Sequence, residues 1–149
     1  MPKLTMPELR FLAFDFGLKK IGVALGDSFL KQARPLTILK SETKQQRFAQ
    51  VELVLKEWQP DQVIVGLPLT LEGEEQEASI HARRFANQLH GRYGLEVVLV
   101  EEQNSSMEAQ ALIRQFKQFD AKQARRFSDE DDAVAAAVIL QRHLDSLSS

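Results

Sequence analysis

The pattern of apolar and polar positions predicts the elements. Phe11-Leu12-Ala13-Phe14-Asp15-Phe16 is an apolar run broken by one acid and too short for an ordinary core helix, so it predicts a central strand. Ile21 to Gly26 predicts a second strand, and the intervening Gly17-Leu18-Lys19-Lys20 makes a hairpin the economical connection. Ala33 to Leu39 predicts a third antiparallel strand, with Pro35 favouring an edge or a strand start. From Lys44 to Trp58, the spacing of Phe48, Val51, Leu55 and Trp58 is that of an amphipathic helix, which Pro60 ends.

Gln62 to Gly66 then predicts a buried strand, ended by Leu67-Pro68-Leu69. A helix from about Glu75 to Arg92 presents Ala82, Phe85, Ala86 and Leu89 on one face, with Gly91 and Gly94 bracketing its exit. Glu96 to Val100 predicts a fifth strand. Ser105 and Glu108 have capping-box spacing for another helix, and Lys117 to Phe127 reads as a loop. Ser128 and Asp131 offer start chemistry for a last helix, whose Ala133–Leu140 run is apolar all round and therefore predicted to be buried. Three antiparallel strands followed by two parallel ones, flanked by helices, define a single α/β domain with a mixed five-stranded sheet over residues 1–149.

Composition narrows the chemistry. The chain has 149 residues and no cysteine, which removes disulfides, thiolate metal sites and cysteine nucleophiles together. No segment reaches the roughly 18 apolar residues of a membrane span, and the N-terminus lacks the apolar stretch of a signal peptide, so a cytoplasmic chain without membrane partners is expected. The formal charge of −2 argues against binding nucleic acid through bulk positive charge, not against local patches.

Asp15 is the most informative residue, because an acid within an apolar strand is disfavoured unless it is paired, hydrogen-bonded or coordinating. Glu101-Glu102 follows the fifth strand, where side chains reach the crevice beyond the strand ends; alternation turns one of the two inward. Asp129-Glu130-Asp131-Asp132 opens the last helix, where helix capping and dipole compensation account for some of the acids and Asp132 abuts the buried run. Carboxylates from two strand ends and a helix start suit Mg²⁺ or Mn²⁺. A P-loop is excluded, since Val23-Ala24 stands where Lys and Ser/Thr belong. His81 and His90 fall on opposite helix faces and read as surface residues.

Phe14-Asp15-Phe16-Gly17-Leu18-Lys19-Lys20-Ile21-Gly22-Val23-Ala24, then Val65-Gly66-Leu67-Pro68-Leu69 with Gly73, and finally Asp132 before an alanine-rich helix, resemble the YqgF (RuvX) family. The resemblance runs from about Phe11 to Leu144. It implies an RNase H-like fold and an acidic triad of Asp15, Glu102 and Asp132. It also implies action as a pre-16S rRNA nuclease or a Holliday junction resolvase. Lys19 is drawn in as a residue that meets phosphate. Where the family carries an arginine after the inward glutamate, this chain has Gln103, which brings activity or substrate choice into question.

The expected mechanism is phosphodiester hydrolysis with two Mg²⁺ or Mn²⁺ ions about 3.5–4 Å apart, Asp15 bridging and Glu102 and Asp132 completing the ligand set. No other cofactor is expected. Arg83 and Arg84 on the second helix, and Lys122, Arg125 and Arg126 in the basic stretch 114–126, are candidate phosphate contacts. The expected partners are pre-rRNA or branched DNA, with ribosome precursors among them, bound by a monomer or homodimer. A noncatalytic ribosome-assembly protein is the alternative that Gln103 favours. An actin-like or sugar-kinase phosphotransferase would need a second domain that this length does not provide.

Overall fold

The computed structural model describes residues 8–103 and 131–147. The helix expected from Ser105 and the loop expected at Lys117–Phe127 lie outside the described residues. The elements in chain order are β1 Arg10–Asp15, β2 Lys20–Asp27, β3 Arg34–Lys40, α1 Lys44–Trp58, β4 Gln62–Leu69, α2 Glu77–Tyr93, β5 Glu96–Gln103 and α3 Asp131–Ser146. The sheet order is β3-β2-β1-β4-β5. The first three strands pair antiparallel, while β4 and β5 join parallel to β1, as the sequence pattern predicts.

Alternation sorts the sheet residues onto two faces. Leu12, Phe14, Ile21, Val23, Val63 and Val65 pack with Phe48, Val51 and Val54 of α1 and with Ala82, Phe85, Ala86 and Leu89 of α2. The Phe85 ring is central, 5.7 Å edge-on from Phe14 and 4.8 Å from Phe16. Phe11, Ala13, Ala24 and Ile64 face the other way, against Ala136, Ala137, Ile139, Leu140 and Leu144 of α3. The His143 ring sits edge-on to Phe11 at 5.5 Å and lies 3.0 Å from Gln62 Oε1, so the C-terminal half of α3 covers the start of β1 and β4. The helix therefore runs antiparallel to these strands, and its first turn lies towards the end where β1, β4 and β5 finish. Among the described residues no helix is long and apolar enough to cross a membrane.

Local chemistry sets the limits of α1. The Thr43 side chain accepts from the Gln46 N–H at 3.1 Å, and the chain leaves at Gln59 in the left-handed region, φ 44°, before Pro60 blocks continuation. Several boundaries differ from the sequence expectation. β4 continues through Pro68 to Leu69: β1 pairing ends at Phe14–Val65, so the flank facing β1 asks no ladder hydrogen bond of Pro68. β5 likewise runs on to Gln103, paired to Leu69. Gly91 lies inside α2, whose exit is Gly94 alone, at φ 66° with its N–H on His90 O. Helix α2 starts two residues later than expected. There Gln76 N–H donates to Ser79 Oγ, and the buried Ser79 hydroxyl donates to Pro68 O, tying the helix start to the end of β4.

Candidate active site

Asp15 is the last residue of β1 rather than an interior one, and it is half-buried. Gly22 lies directly opposite it on β2. On the other side, Phe14 pairs with Val65, so the next rung brings Asp15 level with Gly66 of β4. Asp15 thus ends its strand between two residues without side chains.

Gly66 is level with Val100, and Pro68 with Glu102, on β5. Val98, Val100 and Glu102 alternate onto the α3 face, as do Ala13 and Asp15. Glu102 is therefore the inward member of its pair, half-buried, while Glu101 is exposed. A methyl group at position 66 would overlap Ile139 Cδ1 and lie 3.5 Å from Glu102 Oε2. The glycine thus admits the Ile139 side chain of α3, while a methyl group there would only touch the Glu102 carboxyl. Gly17 has a similar part in the hairpin: a Cβ there would meet the Lys20 carbonyl oxygen at 2.6 Å.

Burial pushes the Glu102 carboxyl above the usual glutamate range, and the positive charge of Arg142 partly offsets this. Arg142 Nη1 also donates to Glu101 O at 3.1 Å, linking α3 to the exit of β5. Sequence reasoning missed this residue; its only signal is a cation on a helix whose preceding turns are apolar. Arg47 was missed too. It lies over the Phe16 ring at 5.0 Å, and its Nη2 donates to Leu18 O at 3.2 Å, bracing the hairpin that follows Asp15.

The backbone of Asp132 lies in the first turn of α3, at the same end of the sheet as Asp15 and Glu102. Its side chain, like that of Gln103, lies outside the described residues. Asp15 and Glu102 supply hard oxygen donors on one face, and among the described residues no cluster of three metal-binding side chains is formed. Two of the three expected ligands thus share one face and one end of the sheet, on strands separated by β4.

Lys19 is exposed in the turn before β2. Arg83 is held by Glu75 in a two-pronged pair, Nε and Nη2 each at 2.9 Å, which lowers the Glu75 pKa; Arg84 is exposed. Lys122, Arg125 and Arg126 lie outside the described residues. His81 approaches Glu77 at 3.7 Å, and His90 Nδ1 meets Leu95 O at 2.8 Å, so these histidines have local structural contacts.

A five-stranded mixed sheet with acids at the ends of β1 and β5 is the frame of an RNase H-like domain, and solved structures agree. The fowlpox virus Holliday junction resolvase superposes with a TM-score of 0.64 at 16% identity, covering 93% of this chain and 99% of that one. The T. thermophilus RuvC in complex with Holliday junction substrate gives 0.57 at 19% identity, covering 95% and 96%. At these identities the likeness is one of fold. The chain belongs to the RuvX family, described as Holliday junction resolvase, whose profile matches residues 9–146. A Bordetella pertussis protein named "Putative pre-16S rRNA nuclease" is 57% identical over 143 residues, covering 96% of this chain and 98% of that protein. A Paraburkholderia phytofirmans protein of the same name is 45% identical over 141 residues, covering 95% and 91%.

Proposed function

We propose that this chain is a Mg²⁺- or Mn²⁺-dependent nuclease that hydrolyses phosphodiester bonds of the 16S ribosomal RNA precursor in the cytoplasm. The observation that carries this reading is the placement of Asp15 and Glu102 on one face, at the ends of β1 and β5, towards the end of the sheet where α3 begins at Asp131-Asp132. Asp15, Glu102 and Asp132 would hold the cations. The donors fit: all are hard oxygens, and a carboxyl raised by burial, as Glu102 is, gains from a neighbouring cation. Such ions, when bound, acidify water and stabilise a departing oxygen.

The chain's own groups have separate tasks. Asp15, at the end of β1, would present its carboxylate to the cation that holds the phosphate. Arg142 holds the Glu101 carbonyl and so fixes the strand exit that presents Glu102. Lys19 meets phosphate from the hairpin turn. No side-chain nucleophile is required.

Pre-16S rRNA is favoured over branched DNA because the relatives at 57% and 45% identity bear that name, whereas the likeness to resolvase structures is one of fold. The family description keeps junction DNA as the second substrate to assay. The test is a cleavage panel of pre-rRNA, four-way junction DNA and single strands, each with Mg²⁺, Mn²⁺ or chelator, beside Asp15→Asn. Cation-dependent cleavage of pre-rRNA is expected, falling about 10³-fold in the variant, roughly 4 kcal/mol of transition-state stabilisation, with the melting temperature retained. Cleavage by Asp15→Asn at the wild-type rate overturns the mechanism. Binding without cleavage by the wild type supports the noncatalytic reading that Gln103 favours.

A further inference from the structure

Among the described residues Phe29 is the most exposed large apolar side chain, at 79%, and Leu30 beside it is 66% exposed. Both stand on the β2–β3 turn, whose backbone is tied down. Asp27 Oδ1 accepts from Phe29 N–H at 3.0 Å and from Leu30 N–H at 2.6 Å, and Lys31 N–H donates to Asp27 O at 3.0 Å. Ser28 N–H donates to Leu9 O at 2.9 Å, while the Gln141 side chain of α3 donates to Lys31 O and accepts from Ala33 N–H, each at 3.0 Å. The turn cannot fold its apolar tip inward without breaking these bonds, so Phe29 and Leu30 are held in water, where a partner that covers them gains their burial.

Beside the turn lies a cavity of about 350 Å³. Strand register sets its walls. Arg10 is opposite Asp27 and Arg34 is opposite Leu25, which packs towards α1, so all four side chains share the α1 face. Trp58, at the end of α1, also lines the cavity: Arg34 lies over its ring at 5.7 Å, and Arg10 Nη1 donates to its carbonyl at 2.7 Å. Glu8 and Asp27 line the cavity with Arg10 and Arg34, so its formal charges balance. Asp27 is five residues along β2 from Gly22, the register partner of Asp15, which sets the turn and cavity roughly 17 Å from the carboxylate end.

These features select the chemistry of an occupant. A balanced set of charges does not concentrate phosphate, whereas a nucleobase offers donors, acceptors and an aromatic face together. An exposed phenyl ring on a fixed turn, and an indole with a guanidinium above it, are stacking surfaces for such a base. From Ser28 to Arg34 the chain carries Lys31 and Arg34 and no acid, which suits the phosphates that link successive bases. Stacking needs a free base face, so a single strand fits and a duplex does not. We propose that unpaired bases of an RNA strand stack on Phe29 and on the Trp58–Arg34 wall of the cavity, an anchor remote from the carboxylates. That the strand is RNA rests on the proposed function; the stacking of unpaired bases does not.

The test measures binding of the full-length chain in chelator, so that cleavage plays no part. Trp58 is the single tryptophan, and its emission reports on the cavity. Single-stranded RNA is expected to quench that emission, and a duplex of the same sequence to leave it unchanged. In fluorescence anisotropy with labelled single-stranded RNA, Phe29→Ala should bind about tenfold more weakly, with its salt dependence between about 50 and 200 mM KCl unchanged, because a stack and not an ion contact is lost. Arg34→Gln should bind about fivefold more weakly and lose most of the quench. Ile80→Ala, which removes an exposed apolar side chain from α2, should bind as the wild type does. Wild-type RNA affinity in both Phe29→Ala and Arg34→Gln, or Trp58 emission indifferent to single-stranded RNA, overturns the proposal and leaves a protein to cover the turn. If the wild type cleaves nothing with Mg²⁺ or Mn²⁺ while Phe29→Ala still weakens binding, the stacking surface stands and only the nuclease reading falls.

Discussion

The two faces of the sheet are built from different side chains. Towards α1 and α2 the contacts are large: Phe14, Phe48 and Phe85 meet among Leu12, Val63 and Val65, and Phe85 is almost fully buried. Towards α3 aliphatic Ile64, Ile139, Leu140 and Leu144 with Phe11 are interleaved with small residues, Ala13, Ala24 and Gly66 on the sheet and Ala136 and Ala137 on the helix. Interaxial spacing follows the side chains at the contact, so small residues let an element lie close. The first face buries the aromatic cluster, and each large apolar side chain buried on either face contributes about 1.5–3 kcal/mol. The second gives proximity, bringing the helix that begins with Asp131-Asp132 near strands that end in Asp15 and Glu102. Both faces bury large apolar side chains, but the aromatic cluster lies on one and the candidate chemistry on the other.

That division predicts opposite outcomes for two truncation-scale changes. Phe85→Ala should cost about 3–5 kcal/mol in chemical denaturation, because it opens a cavity at the centre of the aromatic cluster. The cleavage rate per folded molecule should stay within about twofold, less than half a kcal/mol. Gly66→Ala should cost less, about 1–3 kcal/mol for forcing Ile139 aside. Yet it should lower cation-dependent cleavage more than tenfold, because displacing Ile139 shifts α3 against the strands that carry Asp15 and Glu102. Equal losses of rate in the folded fractions of both variants would collapse the distinction between the faces.

How much of this the sequence carried depended on how local the cause was. The limits of α1 were legible in the apolar spacing and in Pro60, which acts on its immediate neighbours, while the Thr43 cap emerged only in the structure. The inward choice between Glu101 and Glu102 was open in the sequence; the register of β5 decides it, by extending the alternation of Val98 and Val100. The ends of β4 and β5 were misjudged because Pro68 reads as a terminator until the neighbouring strand is known to have stopped. Arg142 and Arg47 were invisible because each bonds a carbonyl brought to it from 41 or 29 residues away. The shared face of Arg10 and Arg34 is likewise a property of pairing, not of either strand read alone.

The polar end of the α3 face should trade stability for function. An acid whose folded pKa is raised adds least to stability when ionised: its contribution is intact below the unfolded value and lost as pH rises through the folded one. Glu102 is in this position without a divalent cation. Glu102→Gln should therefore raise the melting temperature in chelator at pH 8 by a few degrees, where about 1 kcal/mol corresponds to roughly 2–4 °C. The gain should shrink towards pH 4, and the variant should lose the stabilisation that Mn²⁺ gives the wild type. A variant that melts below the wild type in chelator at every pH would mean that Glu102 is held by structural bonds rather than kept for a cation.

The opposite end of the same face offers the smallest effect. Burial holds the His143 imidazole below its ordinary pKa, with Glu96 opposing, and its Nε2 lies 3.0 Å from Gln62 Oε1. A depressed histidine favours the neutral form in the folded chain. Its contribution is complete above the unfolded value of about 6.5 and is lost as pH falls through the folded one, because the unfolded chain takes up the proton first. His143→Phe keeps an aromatic edge for Phe11 but removes the titration. Its melting temperature should fall less than that of the wild type between pH 7 and pH 5, by about 2 °C. Cleavage near neutral pH should be unchanged, since His143 sits at the start of β1 and β4, away from Asp15 and Glu102. A pH slope identical to the wild type would place the acid sensitivity of this face at its carboxylate end instead.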